Sequence, residues 1–382
     1  MSNKKKLMTI AIAAEITPAK TIIPIIKKIK LLESKNKLNW ENSKIIGLYH
    51  GDSVKNILSP FCDECFSIGQ GRGSNKKKNS NIKLAYLIFK DFLKAFSAMR
   101  GKNIDLLITA GNAGDVRKSI LAANFLHIPV IHIEQDIYNP IEIISHANLV
   151  TVPSEKYVSY LKNHYNLSNV INIGGYPMVS YVIDSIKNHK NISKEQILSE
   201  NGLKLTDDYI LLVLGGDLRD NDLERLIRVC ESLNYLIIIA PYRFDKHLVE
   251  SLVNSSNINV LDNYVDLYNY LSNAKILIYA AGMGMTIEAG IFEIPSIKIK
   301  GFHKDHASVD LANDLNIPIV DIDDISHVIN HLSKSNSKDL IENSQIAIDN
   351  LIDIIINNFN FSFNKSGLSS TKKIWNQRKK YR

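Results

Sequence analysis

The feature that most restricts the fold is a repeated alternation. Short unbroken runs of Ile, Val and Leu are each followed by a longer stretch with helical spacing. In the first half the runs cover residues 7–14, 44–50, 105–111, 129–134, 149–154 and 170–175. In the second half they cover 209–216, 235–241, 258–263, 275–281, 295–301 and 317–322. A strand with one wet face alternates apolar and polar residues, whereas a strand covered on both faces does not. The continuous runs therefore predict parallel strands sandwiched between helices. Helical patterns at 83–100, 115–126, 154–164, 221–233, 265–273 and 305–315 fill the gaps. Such alternation predicts doubly wound parallel sheets of the α/β class.

Twelve strands exceed one comfortable sheet, and the polar, strand-free stretch 185–207 divides them. The expectation is two Rossmann-like domains facing a cleft, at residues 1–188 and 205–337. A C-terminal helix at 338–360 and a basic tail at 361–382 follow, the tail being mobile until it meets a partner. Ligands of open α/β sheets bind at the carboxyl ends of strands, so the chemistry is sought in the loops that follow them.

Charge narrows the partners. The net charge is +7, much of it in the runs 4–6 and 76–78 and in the tail from Lys372 to Arg382. Such runs are ordinarily solvated, or else they meet anionic headgroups. No basic stripe interleaved with aromatics marks a nucleic-acid surface. No apolar run approaches the length of a membrane-spanning helix, and the basic start reads as a first strand instead of a secretory signal. Three cysteines make no disulfide framework, so a reducing cytoplasm is expected. Cys62 and Cys65 have C-x-x-C spacing, yet no second pair completes a zinc site, and no metal is expected. His303 and His306 likewise lack a third ligand, and the acidic run 321–324 better fits a helix start.

Two glycine turns carry the chemistry. Gly215-Gly216 ends an apolar run ahead of a helix, where backbone N–H groups can approach an anion; a plain turn is the competing reading. Gly282 and Gly284 follow the run 275–281 and open a helix at about Met285. A diphosphate suits that helix N-terminus. Glu288, near the first turn, could accept hydrogen bonds from a ribose diol, or could merely complement the helix dipole.

The block 260–320 resembles the carboxy-terminal half of GT-B glycosyltransferases. It is most similar to the N-acetylglucosaminyltransferase family that completes lipid II. The matching residues are Ala281-Gly282, Glu288, Ala289-Gly290 and Pro295, followed by His306 and Asn313. The resemblance implies that Glu288 holds the ribose of UDP and that Gly282, Met283, Gly284, Met285 and Thr286 hold the diphosphate. It places Tyr242, Arg243 and Phe244 where the base is read, Arg219 and Arg243 near the phosphates, and His306 toward the cleft.

Residues 106–140 resemble both that family and the non-hydrolysing UDP-N-acetylglucosamine 2-epimerases. The epimerase pattern needs an acid after the third strand and a histidine after the first strand of the second domain. Asn112 and the stretch "GGDLRDND" stand there, and only Glu134 survives of that set. Losing acid–base partners argues for group transfer. Glu15, then Asp136 and Glu134, are the candidate bases; Glu15 could instead cap a turn, and Glu134 could be an ion-pair partner.

The resemblance thus implies a transferase moving a sugar, an N-acetylhexosamine by preference, from a UDP-sugar to an acceptor hydroxyl without a cofactor. A lipid-linked acceptor at the inner membrane face is one option, consistent with the basic patches. An epimerase-like enzyme and a non-catalytic nucleotide-sugar-binding subunit are the alternatives.

Overall fold

The computed structural model describes residues 7–69, 81–112, 114–135, 137–188, 192–200, 208–263, 265–301, 306–357 and 365–379, with backbone alone at 81–88. The chain forms two compact units. The first is Met1–Tyr181 with Glu342–Arg382, and the second is Val182–Ile341.

The first unit holds seven parallel strands. They are β1 (Met8–Ala14), β2 (Ser43–His50), β3 (Glu64–Gly69), β4 (Leu106–Ala110), β5 (Val130–Ile133), β6 (Leu149–Val152) and β7 (Val170–Asn172), in the order β3-β2-β1-β4-β5-β6-β7. The second unit holds six: β8 (Tyr209–Val213), β9 (Leu236–Ala240), β10 (Ile258–Val260), β11 (Ile276–Tyr279), β12 (Ser296–Ile299) and β13 (Ile319–Val320), in the order β10-β9-β8-β11-β12-β13. Each order runs outward in one direction from its first strand and then resumes on the other side. The reversal falls between β1 and β4, paired Ala14 to Ala110, and between β8 and β11, paired Val213 to Tyr279. In open sheets of this kind ligands bind at the carboxyl ends of the strands beside such a reversal.

The helices are α1 (Ile16–Ser34), α2 (Gly51–Leu58), α3 (Asn81–Met99), α4 (Gly114–Phe125), α5 (Glu155–Tyr165), α6 (Met178–Asn188), α7 (Lys194–Glu200), α8 (Leu223–Glu231), α9 (Lys246–Leu252), α10 (Leu267–Asn273), α11 (Met283–Ile291), α12 (Ala307–Asp314), α13 (Ile325–Val328), α14 (Lys338–Asn357) and α15 (Gly367–Lys379). The central strands β1, β4, β8 and β11 are buried along their whole length, as their unbroken apolar runs require. One core gathers β1, β2, β4, α1 and the α14 residues Ile348, Leu351, Ile352 and Ile355. A separate core gathers β8, β9, β11, β12 and α8.

Three segments differ from expectation. β3 lies at the edge of its sheet and its outer half is only partly buried, so Glu64 and Ser67 interrupt the apolar run that marks the other strands. Asn112 consequently follows the fourth strand, not the third. The expected basic tail contains α15, which packs on the first unit. Ile374 is wholly buried, Ser370 donates to the carbonyl of Asn166 at 2.7 Å, and Arg378 donates to the carbonyls of Asn139 and Pro140 at 2.9 and 2.8 Å. The polar break after α6 carries a further short helix, α7.

Candidate functional site

The loops after β8 and β11 touch. A Cβ placed on Gly215 would stand 2.3 Å from the Cβ of Ala281 and 2.6 Å from the carbonyl oxygen of Ala280. Only glycine allows this approach. Asp217 N–H donates to the Ala280 carbonyl at 3.2 Å, which ties the loops together. Gly216 is exposed with open space around it. Helix α8 begins only at Leu223, so the Gly215-Gly216 pair does not stand at a helix N-terminus as expected. Of the two, Gly215 packs closely against the β11 loop.

Gly282 caps α11, which starts at Met283, two residues earlier than the sequence suggested. The first N–H groups of a helix have no partner within it, and the helix dipole adds positive potential there. Thr286 braces the turn. Its hydroxyl donates to the carbonyl of Gly282 at 3.2 Å and accepts from the hydroxyl of Tyr279 at 3.2 Å. Burial pushes the Tyr279 hydroxyl up from its ordinary pKa, so it stays protonated as the donor. Met283 and Gly284 are buried and Met285 is half-buried.

His306 caps α12 and leans on this turn. Its Nδ1 accepts from the backbone N–H of Ser308 at 3.1 Å, which assigns the ring proton of the neutral imidazole to Nε2. A Cβ on Gly282 would come within 3.5 Å of His306 Cε1 and 3.8 Å of Nε2. The ring edge that carries a donor thus lies against the start of α11.

Lys298 sits beneath, on β12. It is 2 % exposed, donates to the carbonyl of Ala281 and lies 3.7 Å from Asp217. Burial lowers its pKa, with Asp217 opposing. Sequence reasoning missed both residues. The available signal was a lysine inside an otherwise apolar, fully covered strand.

Glu288 lies in the second turn of α11, not the first, and is 5 % exposed. Its Oε1 accepts from the hydroxyl of Tyr268 on α10 at 3.0 Å. Dipole complementarity accounts poorly for a buried acid so placed, because the dipole acts within the first turn. Arg243 donates to the carbonyl of Leu218 and to Asp220 at 2.9 Å, and its guanidinium lies 4.5 Å from the ring centroid of buried Phe244. Tyr242 has a positive φ of 51°, and Asn263 donates to the carbonyls of Tyr242 and Phe244 at 3.3 and 2.5 Å. Arg219 is exposed.

In the first unit, Glu15 occupies the N-cap position of α1, but its side chain makes no capping bond. Glu134 is fully buried at the end of β5 and lies 3.3 Å from His132, whose Nδ1 contacts Thr109 at 2.9 Å. Asp136 and His303 lie outside the described residues. The Cys62 and Cys65 thiols are both pushed up by burial and pack against Gly47. The acidic run 321–324 stands at a helical start, as expected, and pairs with basic side chains, Asp321 with Lys300 at 2.6 Å and Asp323 with Arg225.

No family model matches the sequence, and no curated protein matches it. The fold, however, has many solved counterparts. S. aureus MnaA, in a co-structure with UDP, superposes with a TM-score of 0.66 at 13% identity, covering 94% of this chain and 98% of its own. The UDP-GlcNAc 2-epimerase of Methanocaldococcus jannaschii, in complex with UDP-GlcNAc and UDP, gives 0.62 at 16%, covering 99% and 100%. The glycotransferase of kitacinnamycin gives 0.52 at 12%, covering 97% and 98%. The two Rossmann-like parallel sheets are therefore those of the GT-B fold class.

Proposed function

We propose that the second unit binds a UDP-sugar and that the chain transfers the sugar, an N-acetylhexosamine by preference, to an acceptor hydroxyl. The observation that carries this reading is the convergence on the start of α11. The first amides of α11, the donor edge of His306 and the buried Lys298 gather where a diphosphate would sit, and Glu288 is held inside the same helix for a ribose. When the bond from the sugar to the diphosphate breaks, the leaving group gains negative charge. Fixed donors that need no reorganisation stabilise that charge. Arg243 and the backbone of Tyr242 to Phe244 serve the base, and Arg219 reaches the phosphates from solvent. Glu15, Glu134 and Asp136 remain the proposed acid–base residues.

A thermal-shift screen of nucleotides and nucleotide sugars tests this. UDP at 100 times its dissociation constant should stabilise the protein by about 2.7 kcal/mol. Nucleotides without uracil should give less, and equal shifts from every nucleotide would sink the proposal.

A second reading, epimerisation of a UDP-N-acetylhexosamine, is favoured by the structural neighbours bound to UDP or UDP-GlcNAc. Asn112 and the histidine-free loop after β8 weigh against it. Proton NMR of UDP-N-acetylglucosamine with protein and no acceptor separates the two, since only an epimerase makes a second UDP-sugar. Contact with a lipid face is supported by exposed Phe89, Leu93 and Phe125 beside Lys90 and Lys94. Among the described residues no helix is long and apolar enough to cross a membrane.

A further inference from the structure

The turn 241–244 leaves β9 at its carboxyl end, within the second unit. Tyr242 has φ of 51°, a left-handed conformation uncommon for a residue with a Cβ. The residue is 48% exposed, so core packing does not impose that conformation. The side-chain amide of Asn263, which follows β10, reaches across to the turn. Its Nδ2 donates to the carbonyl of Phe244 at 2.5 Å and to that of Tyr242 at 3.3 Å. The Phe244 ring is buried in the second core, so the turn is anchored from below as well.

A trans peptide is planar, with its C=O and N–H pointing in opposite directions. Fixing one of the two groups therefore aims the other. The Tyr242 carbonyl is turned to Asn263, so the Arg243 N–H of the same peptide points the opposite way. The Phe244 N–H donates to the Pro241 carbonyl at 3.0 Å, so the Arg243 carbonyl of that peptide is fixed too. Both peptide groups of Arg243 are thus aimed, and neither has a hydrogen-bond partner among the described residues. The Arg243 side chain is bound elsewhere, to the carbonyl of Leu218 and to Asp220 at 2.9 Å. Leu218 lies in the loop after β8, which Asp217 ties to the Ala280 carbonyl, so the turn is linked to the start of α11.

One donor and one acceptor on an exposed residue suit a base edge of opposite, paired character. On uracil, N3–H donates and O4 accepts. On cytosine, N3 accepts and the N4 amino group donates, so both roles are reversed. A fixed pair of peptide groups therefore matches one base and meets the other donor to donor and acceptor to acceptor. Were the peptide between Tyr242 and Arg243 to flip, the Arg243 N–H would turn away and the distinction would be lost.

We infer that Asn263 is a positioning residue that sets the nucleobase specificity. By holding the Tyr242 carbonyl it keeps the Arg243 N–H aimed at O4 of uracil, while the bond from Phe244 to Pro241 keeps the Arg243 carbonyl ready for N3–H. This rests on the UDP reading above and adds the side chain that makes the site selective. Asn263 does not itself touch the base; it acts through the backbone of the turn.

The test uses the full chain and three probes, UDP, CDP and inorganic pyrophosphate, each titrated calorimetrically. The wild type should bind UDP at least about tenfold more tightly than CDP, because the mismatched base leaves its hydrogen bonds unmade. Asn263→Asp keeps the size of the side chain but sets a carboxylate against two carbonyls, and Asn263→Ala removes the amide. Either should bring the ratio of UDP to CDP affinity close to one, through loss of UDP affinity. Affinity for pyrophosphate, which carries no base, should be unchanged, which shows that the variant folds. A merely structural role would lower the unfolding midpoint and leave the ratio alone. A variant that binds pyrophosphate and keeps the wild-type ratio overturns the assignment, and either substitution is enough to decide it. A wild type that binds UDP and CDP alike overturns the base reading, and one that binds none of the three overturns the nucleotide site itself; the role of Asn263 falls with either.

Discussion

Glu288 is buried at 5 % exposure and its carboxylate is met by the hydroxyl of Tyr268, so its orientation is fixed before any ligand arrives. Glu288→Gln keeps the size and the acceptor for Tyr268 but loses the charge that strengthens bonds to ribose hydroxyls. Such bonds are worth about 1.5–3 kcal/mol, so UDP affinity should fall at least tenfold with little change in stability, as read by calorimetric titration. Tyr268→Phe should weaken affinity less, by freeing the carboxylate to turn. Lys298 makes the complementary case. Its folded pKa is depressed, so between that value and the unfolded value of about 10.4 the unfolded chain binds more protons. Its contribution to stability therefore increases as pH rises through that window. Lys298→Met should flatten the rise, in denaturant melts compared at successive pH values, while weakening UDP binding. Glu288 was legible in the sequence because it interrupts an apolar helix beside a glycine turn. Tyr268, Asp217 and Lys298 were not, because each comes from a different element and only packing unites them.

At the scale of elements, two glycines make the switch points possible. Gly215 presses on the β11 loop, and Gly111, with φ of +86°, presses on α1, where a Cβ would meet Pro18 at 2.4 Å. Gly215→Ala drives a methyl into backbone, not into a flexible side chain. It should cost about 1–3 kcal/mol in chemical unfolding and loosen the start of α11, so UDP stabilisation should shrink too. An alanine variant as stable as the wild type would show that the loops part freely. The buried strands were readable because a strand covered on both faces has no reason to alternate. Edge strand β3 was not, since Glu64 and Ser67 are tolerated where one side of the sheet is open. Helix α1 was obscured by Pro18 and Pro24. The first lies in the opening turn, where a missing N–H costs nothing, and the second is buried mid-helix.

Across the whole molecule, the chain returns to its starting unit. Helix α14 lends Ile348, Leu351, Ile352 and Ile355 to the first core, Asn350 donates to the carbonyl of Ile173 at 2.9 Å, and α15 buries Ile374 and bonds through Ser370 and Arg378. Ending the chain before residue 365 should therefore lower stability. Burying Ile374 alone accounts for about 1.5–3 kcal/mol, measurable as an earlier denaturant midpoint. A truncated chain with an unshifted midpoint would show that α15 adds nothing. A polar, basic segment gives no apolar run by which to read such docking; many of its contacts are hydrogen bonds, to the carbonyls of Asn139, Pro140 and Asn166 and to side chains such as Ser145 and His146. The sequence by itself determined the class of architecture and the glycine-turn helix of the second unit, because burial on both faces and backbone freedom are written in consecutive residues. The tertiary structure alone decided which distant side chains stand at the carboxyl edges, because strand order brings together residues far apart in the chain, and no local pattern records that order.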